Sequence, residues 1–226
     1  MADAIGQVLS LAVGVAISPV PIIAVVLMLA TPRGRVNGPA FLAGWLLGLA
    51  VVGTIVLVAS NGAGATDSDA TPATWVSWLK IVLGVLLVLV AVRQWRGRPQ
   101  AGEAGTLPKW MQAVDTFTPG RAVAMGVALS AINPKNLLLT VGAAAAIAQA
   151  DVSTGDEVVA LAVFVVIGTL GPGAPVLISW FMGSRSREIL DGLKAWMGMH
   201  NAAIMAVLCL VIGARLAGDG ISGLGS

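Results

Sequence analysis

Of the 226 residues in this chain, 57% are hydrophobic and only 11% charged, with a net charge of +2 and a single cysteine. A soluble domain carries about 25% charged residues, so this balance, with a mean hydropathy of +0.91, excludes a soluble globule and predicts an integral membrane protein. The lone Cys209 leaves no partner for an intramolecular disulfide or a thiolate metal cluster, and the basic residues sit in loops beside apolar segments, which reads as membrane topology rather than nucleic-acid binding.

A membrane helix needs about 20 apolar residues, and six segments qualify: 4–30, 39–59, 75–92, 122–148, 158–182 and 196–214. The start, Met1-Ala2-Asp3-Ala4, has no positive region of a signal peptide, so span 1 is expected to be retained. Span 1 carries Ala16-Ile17-Ser18-Pro19-Val20-Pro21 near its centre. Pro19 and Pro21 have no N–H to donate, which frees carbonyls one turn upstream. Those carbonyls and the Ser18 hydroxyl could coordinate a cation or a polar headgroup; alternatively the kink is satisfied within the bundle. Arg33 and Arg35 follow. Gly34, Gly38, Gly44 and Gly48 run into span 2, where Gly44 and Gly48 suit close helix packing.

Asp67 and Asp69 lie between spans 2 and 3. Trp75 and Trp78 open span 3, and Trp95, Trp180 and Trp196 stand at other span ends, where tryptophan anchors at headgroup level. Lys80, about one turn inside span 3, can snorkel outward. The 93–121 connection is rich in Gly, Pro and charge, with Arg93, Arg96, Arg98, Lys109 and Arg121. Within 107–117, Trp110, Val114 and Phe117 share one helical face, which suits either a short helix on the membrane surface or an unstructured linker.

Span 4 repeats the motif of span 1 as Ala131-Ile132-Asn133-Pro134-Lys135-Asn136. A lysine at mid-membrane costs several kcal/mol unless it is paired, hydrated or neutral. No Asp or Glu lies deep in any segment. Lys135 is therefore expected to meet carbonyls, water or an anionic substrate group, or to exchange a proton, while Asn133 and Asn136 offer hydrogen bonds. Asp151, Asp156 and Glu157 precede span 5, in which Gly171-Pro172-Gly173-Ala174-Pro175 predicts another break, acting as a hinge or a close contact. Arg185, Arg187 and Lys194 follow. His200 and Asn201 stand just inside span 6, with His200 a candidate proton relay; with one histidine in the chain, no metal site is expected.

The basic loops 31–38, 93–121 and 183–195 are cytoplasmic by the positive-inside rule, which puts both termini outside a plasma membrane. Three spans per half then make the second half inverted relative to the first. The expected architecture is an all-α membrane protein, with residues 1–92 as one three-helix repeat, 93–121 as linker and 122–226 as the other repeat. Spans 1, 4 and 5 are expected to be broken. Matching breaks in two inverted halves point to a transport site. The sequence has no catalytic constellation and no phosphate-binding loop, so neither an enzyme nor a bound cofactor is expected.

Ser18-Pro19-Val20-Pro21, the spacing of Gly34, Gly38, Gly44 and Gly48, and Asn133-Pro134-Lys135 resemble the lysine exporter superfamily of small six-span exporters. The stretch 21–49, with Thr31-Pro32-Arg33-Gly34-Arg35, Asn37-Gly38 and Phe41-Leu42-Ala43-Gly44-Trp45, looks like its actinobacterial peptidoglycolipid-addressing branch. That branch is implicated in moving glycolipids or sulfolipids toward the cell surface. Ser18-Pro19-Val20-Pro21 departs from the Pro-Gly-Pro of the amino-acid exporters, which favours the lipid branch. The resemblance implies a secondary transporter that exports or flips an envelope lipid, with the bilayer and the lipid as partners. The rival readings are an exporter of amino acids or other small metabolites and a non-transporting subunit of a lipid-export complex. A homo-oligomer is compatible with all three.

Overall fold

Hydrocarbon offers backbone groups no hydrogen-bond partner, so an apolar chain of this kind must satisfy them internally as helix. A computed structural model of the chain describes residues 2–66, 72–97, 114–150, 152–182 and 185–224, and no strand occurs among them. The elements are α1 (Ala2–Ala16), α2 (Pro19–Leu29), α3 (Gly34–Thr66), α4 (Pro72–Arg96), a 3-10 turn (Val114–Thr116), α5 (Pro119–Val127), a π turn (Ala128–Ile132), α6 (Pro134–Ala148), α7 (Thr154–Phe181) and α8 (Arg185–Leu224).

Helices α3, α4, α7 and α8 are each long and apolar enough to cross a membrane. The pairs α1–α2, bent by 42°, and α5–α6, bent by 63°, qualify only when each is taken as one, so there are four to six candidate spans. Large apolar side chains cover the outside, among them Ile55, Val58, Leu89 and Val211, each about 60% exposed. An apolar exterior of this extent suits hydrocarbon rather than water. Trp78, Trp95 and Trp180 are more than half exposed toward helix ends, as anchoring requires, and Trp196, equally exposed, lies inside the long α8. The side chain of Trp75 lies outside the described residues.

The breaks at Ser18 and Asn133 form as expected, but the one in span 5 does not. Helix α7 runs unbroken from Thr154 to Phe181 with Pro172 and Pro175 inside it. The physical difference is in the residue before each proline. Ser18 (ψ 99°) and Asn133 (ψ 120°) adopt the extended backbone that a following proline favours, and each has a side chain that serves the freed backbone. Gly171 and Ala174 have no polar side chain to replace a broken helical turn. Of the proposed surface helix at 107–117, residues up to 113 lie outside the described set. The rest is a 3-10 turn whose Val114, with Phe117 beyond it, is buried against the bundle.

Small residues bring the helices into backbone contact. Helix α4 packs along α8, where a Cβ at Gly84 would stand 2.6 Å from the Gly213 carbonyl oxygen and one at Gly220 2.6 Å from that of Ser77. Helix α3 packs on α5 with Gly44 against Val123, and Gly126 against the Phe41 carbonyl and the Trp45 N–H. Helix α1 lies between α6 and α7. Phe41 and Trp45, both fully buried, stack with centroids 6.2 Å apart in the core that these helices share.

Polar residues tie element ends together. Asn61, near the end of α3, donates to the Glu157 carboxylate at the start of α7 at 3.0 and 3.2 Å. At the start of α3, the Asn37 side-chain amide donates to the Phe117 carbonyl at 3.0 Å, just ahead of α5.

Candidate functional site

The break in span 1 frees a set of carbonyls, and each one has a new partner. In an unbroken helix Val15 and Ile17 would accept from residues 19 and 21, but both are prolines. The Val15 carbonyl instead lies 2.7 Å from the Ser18 hydroxyl, and the Ile17 carbonyl accepts from the Lys135 ammonium at 3.2 Å. The Ser18 N–H turns to Ala16 at 2.9 Å, which leaves the Gly14 carbonyl to accept from Lys135 at 2.6 Å. The third donor of that ammonium goes to Ser18 Oγ at 2.6 Å.

Lys135 thus uses its three N–H groups on one turn of another span. It is 2% exposed, Ser18 2% and Asn136 fully buried, so the cluster is closed to solvent. Electrostatics explains the direction of the side chain. Lys135 sits in the first turn of α6, where the helix dipole disfavours a cation, and it reaches the carbonyl end of α1, where the dipole favours one. The expected cation between the span 1 carbonyls is the ammonium of this same chain.

The span 4 break is built differently. Asn133 Oδ1 caps α6 by accepting from the Lys135 N–H at 3.1 Å, and the Asn133 N–H reaches back five residues to Ala128 at 3.1 Å to close the π turn. Asn136 joins the two breaks: its Nδ2 donates to the Leu129 carbonyl at 2.9 Å and its Oδ1 lies 3.0 Å from Ser18 Oγ. Ser18 has one hydroxyl proton, so it donates to Val15 or to Asn136 while accepting from Lys135. Replacing Asn133 with Ala removes the cap and should cost about 1 kcal/mol, measured as thermal unfolding in detergent; Asn133→Ser should recover most of it.

Of the other residues singled out in the sequence, Gly171 and Gly48 meet this cluster. Gly171 lies against the Ala16 carbonyl at the span 1 break, and Gly48 against Ser130 Oγ in the π turn. Pro172 and Pro175 are buried in α7. A Cβ added at Gly173 would meet nothing within 4 Å, although the residue itself is half-buried. His200 is exposed on α8, stacked on Trp196 at 4.9 Å and held by the Trp196 carbonyl at 2.7 Å.

Two chambers have charged side chains in their walls. One, of about 330 Å³, is lined by Ser10, Lys80, Ala146, Arg215, Asp219 and Ser222. The other, of about 560 Å³, is lined by residues that include Thr31, Arg35, Ser179, Arg187 and Asp191. Their lining residues Leu190 and Arg215 are 25 positions apart on α8, roughly 37 Å along a helix, so the chambers lie at opposite ends of the bundle. Arg215 and Asp219 did not figure among the candidates from sequence. The signal available was an i,i+4 charge pair just beyond the predicted end of span 6, on a helix that continues to Leu224.

No group of three or more His, Cys, Asp or Glu side chains able to hold a metal occurs among the described residues. No curated protein and no solved structure is significantly similar to the chain. A family model does match, over residues 8–222, which is nearly the whole chain. By that match the chain belongs to the family described as Sap, sulfolipid-1-addressing protein.

Proposed function

We propose that this protein is a secondary transporter that moves an anionic envelope lipid across the membrane by alternating access, with Lys135 exchanging the span 1 carbonyls for the lipid headgroup. The observation that carries this reading is the closed Lys135 cluster, in which a lysine in one broken helix satisfies the freed carbonyls of another. Its three bonds all go to neutral groups, so an anion reaching the ammonium would offer a stronger partner. That anion would also lie at the N-terminus of α6, where the helix dipole favours it.

Six crossings are part of this reading. Ser10 and Thr31 line chambers at opposite ends, which supports taking α1–α2 as one crossing. Helix α5 begins beside the start of α3, and Ala146 of α6 lines the chamber that holds Ser10 and Ser222. The pairings also agree with a 3+3 inverted repeat that exchanges span 1 with 4, 2 with 5 and 3 with 6. Span 2 packs on the first half of span 4 as span 5 packs on the first half of span 1, while spans 3 and 6 pair with each other. On this reading the chain acts as a carrier rather than an enzyme, related to the lysine exporter superfamily. It sits in the plasma membrane with its termini and the Arg215 chamber outside.

The test is reconstitution of the purified chain in vesicles carrying fluorescent phosphatidylglycerol, with dithionite quenching to follow leaflet exchange. Exchange several-fold faster than in protein-free vesicles is expected. Efflux of a labelled amino acid without lipid exchange would instead establish the small-metabolite exporter. Inactivity of the pure chain, together with a stable co-purifying protein, would make it an accessory subunit.

A further inference from the structure

The Arg215 chamber contains chemistry that the Lys135 cluster does not use. Lys80 of α4 and Arg215 and Asp219 of α8 bring two cations and one carboxylate to a 330 Å³ space, together with the hydroxyls of Ser10 and Ser222. Arg215 Nη1 donates to Ser10 Oγ, and its Nε stands 3.8 Å from the Asp219 carboxylate. Both Arg215 and Asp219 keep about half of their side-chain surface open, so neither is consumed by this pairing. Among the described lining residues the chamber carries a net single positive charge, at an end of the spans where lysine and arginine can reach the interface.

A second feature adjoins it. Ser10 also lines an apolar groove of about 350 Å³ that runs down the seam between α1 and α8, past Val13 and Gly14 on one side and Val207 and Val211 on the other. Leu9, Val13, Val207 and Val211 are 41–62% exposed, so the groove opens on the lipid-facing exterior. It reaches Gly14, whose carbonyl holds Lys135. A chamber with charged side chains in its wall, adjoining at Ser10 an apolar groove with exposed walls, has the shape of an amphiphile.

We infer that this chamber and groove form a binding site for a singly charged anionic lipid, with the headgroup between Lys80 and Arg215 and an acyl chain along the α1–α8 seam. The net charge selects a monoanion, a phosphodiester or sulfate ester, over a zwitterion, for which the attraction and repulsion cancel. Asp219 holds the Arg215 guanidinium toward Ser10 and keeps the site from retaining its ligand too tightly. The site extends the transport reading above, which supplies its biological use; its existence is tested by binding alone.

Native mass spectrometry of the full chain in detergent, with dioleoyl phosphatidylglycerol and dioleoyl phosphatidylcholine as probes, tests the inference. The parent should retain phosphatidylglycerol about ten-fold better than phosphatidylcholine, and Lys80→Gln with Arg215→Gln should abolish the preference. Asp219→Asn should strengthen phosphatidylglycerol retention several-fold, a gain that misfolding cannot produce. Val211→Trp, which fills the groove, should lower retention of both lipids. A preference that survives the double substitution would overturn the inference. So would full displacement of phosphatidylglycerol by inorganic sulfate, which would mark a site for free anions. If vesicle exchange fails while selective retention holds, the transport reading falls and this site stands. If exchange proceeds with unselective retention, the site alone falls.

Discussion

Lys135→Ala should lower the stability of the folded protein by about 3 kcal/mol, seen as a lower melting temperature in detergent. Two effects oppose each other. Removing a buried charge relieves its desolvation cost. Against this, the substitution orphans the Gly14 and Ile17 carbonyls and Ser18 Oγ and empties one of the largest fully buried side-chain volumes in the protein. Orphaned buried carbonyls and an unfilled cavity outweigh the relieved charge. Lys135→Met keeps the volume and loses only the hydrogen bonds, so its cost should be about half. Cys209 offers a readout without added probes. It is 1% exposed in the core, so a maleimide should leave it unmodified in the parent and label it faster in Lys135→Ala. Equal stability of the Ala variant and the parent would mean that the carbonyls find other partners.

Gly171→Leu should be at least as damaging, at about 3 kcal/mol, while Gly173→Leu should change stability by less than about 0.5 kcal/mol. The two glycines are neighbours in one sequence motif, but they face different surroundings. A side chain at Gly171 would enter the Ala16 carbonyl at the span 1 break, where backbone cannot yield. At Gly173 its Cβ would meet nothing within 4 Å. Leucine is also the better helix former, so any effect at Gly173 should be toward stability. Thermal unfolding of the two variants side by side gives the answer. Similar losses at both positions would show that the close approach of α7 to the span 1 break does not exist.

The helices of this protein were readable from sequence because hydropathy and proline act locally. Six apolar stretches and two Ile-x-Pro motifs lead directly to the bent pairs at Ser18 and Asn133. The third break failed for an equally local reason that hydropathy does not express. A proline breaks a membrane helix cleanly when a neighbouring side chain takes over the freed backbone, as Ser18 and Asn133 do, and Gly171-Pro172-Gly173 has none. Lys135 was legible as a mid-membrane cation in need of carbonyls, but which carbonyls was not, because residues 14 and 135 meet only through the packing of α1 on α6. Lys80 with Arg215 and Asp219 is a similar case. Each looks like an ordinary interfacial charge alone, and the chamber exists only where α4 and α8 converge.

The central claim is that Lys135 couples the span 1 break to the lipid. The most direct test is leaflet exchange of fluorescent phosphatidylglycerol in vesicles containing the parent or the Lys135→Met protein at matched density. Met preserves the packing, so protein folded as judged by unreactive Cys209 can be compared fairly. The account predicts exchange at the protein-free rate for Lys135→Met and several-fold faster for the parent. Exchange by Lys135→Met as fast as by the parent would contradict it.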